Sequence, residues 1–365
     1  MTEARRVPKD RLEALIAALF AAAGCASDEA GRIAHYLVKA NLWGHDSHGV
    51  IRVPRYLTLL AAGDVVAGAR LRITDETEAW AAADGGHGFG QTIGPEAVGL
   101  GIAKAKRSGT AIVALAHSGH LGCIGHWAEM AAEAGLVSIH FVNVAGSLLV
   151  APFGAVERRL STAPFAVGVP RPGAPPFILD FATSVVAEGK VLVALSVGPP
   201  LPEDALIDAA GAPSADPSLF YGPRRPGELP SARGGRAALR AMGGHKGSGL
   251  ALACELLAGA LTGSGCAGPD PQTLANGMLS IYLDPGRFAE TFAEECARYL
   301  TFVASARPAE EGGRVRLPGE PERARAAERS RLGIPLPAET RRALAKAARE
   351  RAVDPALIEA ALGPS

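Results

Sequence analysis

The sequence has no excess of charge of either sign, since 37 Lys plus Arg offset 37 Asp plus Glu. Such a chain has no long-range basic field to draw in nucleic acid or an anionic membrane, although a local patch can still hold a phosphate. Cysteine is scarce. Cys25, Cys123, Cys254, Cys266 and Cys296 are odd in number and scattered, without a C-x-x-C pair, which speaks against a disulfide framework and a thiolate zinc site. No apolar run is long enough to span a bilayer, because Gly, His or charged residues interrupt each one. The opening MTEARRVPKDRLEALIAALF is charged before it becomes amphipathic, and it lacks the apolar core and cleavage site of a signal peptide. A soluble protein of the reducing cytoplasm, with neither a nucleic-acid nor a membrane partner, is expected.

The common nucleotide and hydrolase motifs are also missing. There is no Walker A string, no G-x-S-x-G elbow and no H-E-x-x-H. One G-x-G-x-x-G match exists, Gly263 to Gly268, but it trails a helical pattern and runs into Pro269-Asp270-Pro271. A dinucleotide fingerprint needs those glycines between a strand and a helix, so that pyrophosphate meets the helix N-terminus. This string reads instead as a helix-ending loop. Gly247-Ser248-Gly249 lacks the third small residue. A nucleotide, if bound, sits outside that pattern.

What is present is apolar residue, 48% of 365 positions and spread throughout. That supports a sizeable core in one large or two intertwined domains and excludes wholesale disorder. Apolar residues recur at three- and four-residue steps from Arg11 to Lys39, giving two helices, the second capped by Ser27 with Asp28 and Glu29 in its first turn. A polar turn at 43–49 precedes a short helix with Arg52 and Tyr56; a second glycine-rich turn, DGGHGFG at 84–90, precedes a helix over 91–107. Strands are predicted at 111–115, 136–142, in PPFILD ending at Asp180, and at 278–283. Helices are predicted at 123–134, 250–261, 338–350 and about 354–362, and a surface loop at 222–236.

Nine histidines are present, and most lie near glycine-rich segments. His45-Asp46-Ser47-His48-Gly49 and His117-Ser118-Gly119-His120-Leu121-Gly122 set imidazoles beside glycines, where backbone can approach a ligand and a ring can exchange a proton near neutral pH. Their i, i+3 spacing also suits metal ligands, but no Cys or helical Glu-x-x-His accompanies them, so no metal is expected. Arg52, one helical turn after His48, is a candidate for gripping a carboxylate bidentately, or a surface arginine. Asp180 is placed to hold a ribose, orient a histidine or cap a helix. Gly243 to Gly249, with His245 and Lys246, leads into an apolar helix and suits an anion.

Together these residues resemble the malate/L-lactate dehydrogenase type of NAD(P)-dependent oxidoreductases. The likeness runs from about 9 to about 360 in ordered strings: ANLWGHDSHGV, HSGHLGCIGHWAE, GLVSIHFVNVAG, VAPFG, ILDFATS, EGK, GHKGSG, LPGE and GIPL. The resemblance implies an α/β fold, non-Rossmann, in which a largely antiparallel sheet domain at 81–284 binds NAD or NADP. That domain is inserted in a mixed helical domain built from 1–80 and 285–365. It implies reversible reduction of a 2-oxo acid to a 2-hydroxy acid, with His48 or His120 as acid/base, and a homodimer. Ser47 and Asp180 would orient the imidazoles, while Arg52 and Lys246 bind substrate. His48, Gly122, Cys123, Ile124, Ile178, Leu179, Asp180, Phe181, Ala182, His245, Asn276, Gly319, Glu320, Pro321 and Glu322 would line the cofactor. Similar proteins also reduce cyclic imines (piperideine- or pyrroline-2-carboxylate) or oxidise ureidoglycolate; a non-catalytic ligand-binding relative is the remaining alternative. The chain departs from the family at Thr162-Ala163-Pro164, where Thr-Asn-Pro is usual, which bears on specificity more than reaction type.

Overall fold

The computed structural model describes residues 5–196, 200–223, 234–268 and 274–363; most of the loop expected at 222–236 lies outside them. A strand, β1 (Arg5–Val7), leads into helices α1 (Lys9–Ala22) and α2 (Ser27–Trp43). Their helical periodicity buries Leu12, Leu15, Ile16 and Leu19 of α1 in one cluster with Ile33, Ala34, Leu37 and Val38 of α2. Ser27 is the first helical residue and not the expected cap; Ala26 holds that position without a side-chain bond, while Asp28 and Glu29 do fill the first turn. Two 3-10 turns follow, and Arg52 ends the second. Pro54 then starts α3 (Val53–Ala62) near its N-terminus, so Arg52 and Tyr56 do not share one regular helix.

The middle of the chain alternates: β2 (Arg72–Glu76), β3 (Trp80–Asp84), α4 (Gly90–Ser108), β4 (Thr110–Ser118), α5 (Gly125–Glu133), β5 (Val137–Ala145), β6 (Val150–Ala151), β7 (Pro164–Val169) and β8 (Phe177–Ala182). The strand holding Asp180 continues to Ala182, beyond its expected end. Next come α6 (Glu188–Ser196), β9 (Leu206–Ile207), β10 (Pro213–Ser214), α7 (Pro217–Tyr221), β11 (Ala238–Arg240), α8 (His245–Cys254) and β12 (Ala275–Leu283). The C-terminal segment holds α9 (Phe292–Ala304), α10 (Glu320–Leu332), β13 (Ile334–Leu336), α11 (Ala338–Glu350) and α12 (Pro355–Leu362).

Seven strands form the main sheet in the order β2-β3-β4-β12-β5-β7-β8. Only β3 and β4 run parallel; every other neighbouring pair is antiparallel. Strand β12 lies at the centre and is buried along most of its length. Its register sets Ile281 between Ile112 of β4 and Ile139 of β5. Helices α4 and α5 cover this sheet through Ile93, Ala97, Val98 and Trp127. A separate cluster packs α1, α2 and α3 with α11, α12 and the β1–β13 pair, and a third surrounds the small sheet β10-β9-β11-β6. Strand β2 already pairs with β3 before residue 80, and Phe89 packs with the helical cluster, so the segments interlock at their junction.

The apolar helix expected at 250–261 is divided. Helix α8 stops at Cys254 and the chain widens into a π-helical stretch, Glu255–Ala260. At that point the buried Glu255 carboxylate accepts from Ser161 Oγ (2.7 Å), Ala267 N (3.0 Å) and Asn143 Nδ2 (3.2 Å). A widened turn beside a side chain with such partners is where π-bulges form.

The sheet also buries a histidine. His140 Nδ1 lies 2.8 Å from Ser280 Oγ and Nε2 lies 3.0 Å from Ser138 Oγ, and burial pushes its pKa from 6.5 down to about 3. The unfolded chain therefore binds the proton first. This contribution to stability is complete above pH 6.5 and is lost as pH falls from there toward 3. Replacing His140 with Asn should flatten the dependence of urea-unfolding free energy on pH by up to about 1.4 kcal/mol per pH unit between pH 6 and 4. An unchanged slope would show that His140 does not titrate on unfolding.

Candidate active site

The first wall of the site is the turn after α2. Gly44 leaves the helix in the left-handed region (φ 85°) and the chain reverses. Asp46 then fixes the turn from two sides. Its carboxylate accepts from Asn41 Nδ2 (2.6 Å) and from Arg329 Nη1 and Nη2 (2.6 and 3.0 Å). Asn41 Oδ1 accepts from Val50 N at 2.8 Å. A Cβ on Gly49 would lie 2.2 Å from that same Oδ1, so the Ser-His-Gly string must end in glycine. So held, His48 has its Nδ1 3.1 Å from Ser47 Oγ.

The opposite wall is the turn after β4. The two glycine-rich segments dock on each other: His87 N donates to His117 O and Gly119 N to Gly88 O, both at 2.8 Å. A side chain at Gly90 would put its Cβ 2.2 Å from the His120 carbonyl oxygen. Asn276, expected to line the cofactor, is buried and clasps the turn from β12. Its Oδ1 accepts from Leu121 N (2.8 Å) and its Nδ2 donates to Asn143 O (2.7 Å).

These clasps bring the His48 and His120 rings to 5.6 Å between centroids, with planes 9° apart. Behind them stands a residue that sequence reasoning passed over. Tyr56 Oη is 2.6 Å from His120 Nδ1, and Gln91 Nε2 is 3.3 Å from Tyr56 Oη and 3.3 Å from the His120 carbonyl oxygen. The signal for Tyr56 was its spacing, four residues after Arg52 and eight after His48; nothing in the sequence marks Gln91. Burial, reinforced by the Arg52 charge, pushes His48 down to about 3 and holds His120 well below the usual range. Burial pushes Tyr56 up to about 12. At neutral pH both imidazoles are uncharged and the phenol keeps its proton.

Arg52 reaches the same space already engaged. Its Nε donates to Ser47 O at 2.6 Å, and its Nη2 lies 3.2 Å from Glu188 Oε2. Tyr221 donates its hydroxyl hydrogen to Glu188 Oε1 at 2.7 Å. Glu188 sits in the EGK string and was not singled out. Among the described residues the guanidinium thus has one carboxylate partner, Glu188. Helix α6 is pressed on the turn, since a Cβ at Gly189 would lie 2.2 Å from Ser47 Cβ.

Among the described residues Asp180 makes no hydrogen bond to an imidazole. Its Oδ2 accepts from Gly125 N (2.7 Å) and from Cys123 Sγ (3.3 Å), so its bonds hold the N-terminus of α5, the capping role weighed from the sequence. Burial raises the Asp180 pKa and, together with Asp180, holds the Cys123 thiol well above its usual value. Gly122 (φ 73°) bends the chain between His120 and this helix. Beside Asp180 runs a groove of about 260 Å³ that gathers Ile178, Leu179, Gly319, Pro321 and Glu322 with Trp43 and His45. Its apolar walls suit a flat heterocycle, and its carboxylates and imidazole suit hydroxyls. Its volume matches part of a dinucleotide and not the whole.

The other expected residues are dispersed. Phe181 packs on Phe165 with ring centroids 5.7 Å apart, and Ala182 ends β8. Glu320 turns back to accept from Leu317 N at 3.2 Å. His245 and Lys246 are exposed at the start of α8, where His245 meets Phe153 (ring centroids 5.8 Å) and not the groove. A larger cavity of about 570 Å³ at α11 and α12 contains no histidine and stands apart from this chemistry. Among the described residues no group of three or more His, Cys, Asp or Glu could hold a metal ion, and no helix is long and apolar enough to cross a membrane.

The Thr162-Ala163-Pro164 departure has a backbone consequence. Ala163 is fully buried at φ 33°, a left-handed conformation that asparagine tolerates better than alanine.

Removing the Asn276 amide leaves Leu121 N and Asn143 O without their partner. Asn276→Ala should therefore lower the unfolding free energy by about 2–4 kcal/mol in a denaturant titration. A loss below about 1 kcal/mol would mean that this clasp does not hold the turn.

The model of the malate/L-lactate dehydrogenase family matches residues 7–345. Hydroxycarboxylate dehydrogenase B of Escherichia coli O157:H7 is 38% identical, over 96% of this chain and 95% of that protein. A Δ1-pyrroline-2-carboxylate/Δ1-piperideine-2-carboxylate reductase of Pseudomonas putida is 34% identical, over 86% and 89%. The structure of malate dehydrogenase from Pyrococcus horikoshii superposes with a TM-score of 0.83 at 31% identity, covering 97% of each chain.

Proposed function

The chain belongs to the malate/L-lactate dehydrogenase family, and from that premise we propose that it is an NAD(P)H-dependent oxidoreductase that reversibly reduces a 2-oxo acid to a 2-hydroxy acid. The observation that carries this reading is the stacked His48–His120 pair, 5.6 Å apart, in the field of Arg52. The nicotinamide, when bound, supplies the hydride. Ile178, Leu179, Asp180, Gly319, Pro321 and Glu322 would hold part of the dinucleotide in the groove that they line with Trp43 and His45.

The chain must do two things beside that transfer: neutralise a carboxylate and deliver a proton to the carbonyl oxygen. Arg52 is suited to the first. Its Nε and Nη2 are engaged by Ser47 and Glu188, which fixes the plane of the guanidinium and leaves Nη1 for the substrate. Lys190 adds positive charge near His48. One of the two neutral imidazoles is suited to the second. A ring N–H held in a dry site donates to an oxygen as it gains negative charge, with a contribution of ~10²–10⁴ in rate.

In this reading residues 81–284 form the cofactor domain, inserted between the N- and C-terminal segments. The protein is a cytoplasmic homodimer. Support for self-association comes from Tyr299 and Phe302, which are 55% and 69% exposed along α9, and from Phe288 before it, 65% exposed. Reduction of a cyclic imine is the second reading, favoured by the Pseudomonas putida relative.

Loss of nicotinamide absorbance with NADH or NADPH against 2-oxo acids and cyclic imines, and its gain with NAD or NADP against ureidoglycolate, test the assignment. Turnover of a 2-oxo acid is expected. His48→Ala and His120→Ala should each stay folded, and turnover should fall by ~10²–10⁴ for the donor. Turnover restricted to imines selects the second reading. Binding of NAD(P)H without turnover of any substrate marks a non-catalytic relative. Near-normal rates in both variants would refute histidine acid/base chemistry.

A further inference from the structure

We propose that Tyr56 supplies, through His120, the proton that the substrate oxygen takes up. The proposal rests on the reductase reading and decides between the two stacked imidazoles.

Three hydrogen bonds fix where the protons lie. The His120 carbonyl oxygen can only accept, so the Gln91 group 3.3 Å from it is its amide NH₂. That same nitrogen donates to Tyr56 Oη at 3.3 Å. Having accepted there, the phenol sends its own hydrogen to its remaining described partner, His120 Nδ1, at 2.6 Å. His120 is then the tautomer with its proton on Nε2. A relay follows. As hydride reaches C2, the Nε2–H bond breaks and the substrate O–H bond forms. The Tyr56 O–H bond breaks and an Nδ1–H bond forms. The ring stays neutral throughout, and the negative charge passes from the substrate oxygen to the phenolate oxygen. There the Gln91 N–H and the charges of Arg52 and Arg55 oppose its cost; solvent later restores the proton.

His48 also has a hydroxyl on Nδ1, that of Ser47 at 3.1 Å. An aliphatic hydroxyl is a weaker acid than a phenol, even this one, which burial pushes up to about 12. Burial with Arg52, His48 and Arg55 nearby keeps His120 neutral, so no standing imidazolium does the work and the ring needs a proton source. Tyr56 acts only through His120 and is in that sense a positioning residue.

The test has one readout on the free protein and one on turnover. In long-range ¹H–¹⁵N spectra, with His120 assigned by its loss in His120→Gln, the Nε2-protonated tautomer is expected. In Tyr56→Phe, which keeps the buried ring, a tautomer mixture is expected. The same variant should lower kcat by about 10²-fold with KM within about twofold. Its rate in H₂O/D₂O mixtures should change from a bowed, two-proton dependence to a linear one. Gln91→Met should lower kcat less and keep the bowed dependence. An Nδ1-protonated His120 in active protein, or a bowed dependence retained in Tyr56→Phe at near-normal kcat, overturns the proposal alone. Absence of turnover with every substrate, whatever the tautomer, overturns the reductase reading and this proposal with it.

Discussion

The bond between Tyr56 Oη and His120 Nδ1, 2.6 Å long, is where the helical cluster meets the sheet at the candidate site. Tyr56 belongs to α3 and is fixed by the packing of α1, α2 and α3; His120 belongs to a turn at the end of β4 and is fixed by β12. Each side is over-determined before they touch. Asp46, clasped by Asn41 and Arg329, holds the His48 turn to α2 and α10. Asn276, clasped to Leu121 and Asn143, holds the His120 turn to the centre of the sheet. Neither turn has a regular element of its own to lean on. Their geometry is therefore set by side chains from five other segments, some of them almost three hundred residues away.

That arrangement explains what could be read from the sequence. Ser47-His48-Gly49 and His120 were visible because glycines must stand where backbone approaches closely, and the contacts at Gly49 and Gly90 give the physical reason. Helices α1 and α2 followed from their apolar spacing. Helices α9 and α10 were not foreseen, and neither buries a residue; α10 has no apolar period, whereas α9 spaces Phe292, Cys296, Tyr299 and Val303 along one face, a pattern that was there to be read. Tyr56 carried a helical spacing that went unused. Gln91 and Glu188 carried none, because a partner across the fold leaves no local mark. Of the roles the sequence left open for Asp180, the bond to Gly125 N at the start of α5 is the one seen. Its position near a ligand groove was legible, but whether its carboxylate met an imidazole or the start of α5 depended on how the segments came together.

Burial sets the chemistry of the site more than any single charge does. His48, His120 and Tyr56 are all displaced toward their neutral forms, so in the proposed reaction a proton would move between uncharged groups until the substrate oxygen gains charge. Charge is admitted where it is paired, at Arg52 with Glu188 and at Glu255 with its three donors. The Glu255 network also reaches the active turn, because Asn143 connects that carboxylate to Gly277 N and to the Asn276 amide. The π-helical stretch and the His120 turn are in this way parts of one polar assembly inside the sheet.

The central claim is that His120 presents its Nε2–H to the carbonyl oxygen of a 2-oxo acid whose carboxylate rests on Arg52. A crystal structure with NADH and an unreactive 2-oxo acid amide such as oxamate tests this directly. The account predicts the analogue's carbonyl oxygen about 3 Å from His120 Nε2 and its carboxylate on Nη1 of Arg52. A bound analogue that addresses His48 alone, or that binds away from Arg52, would contradict it.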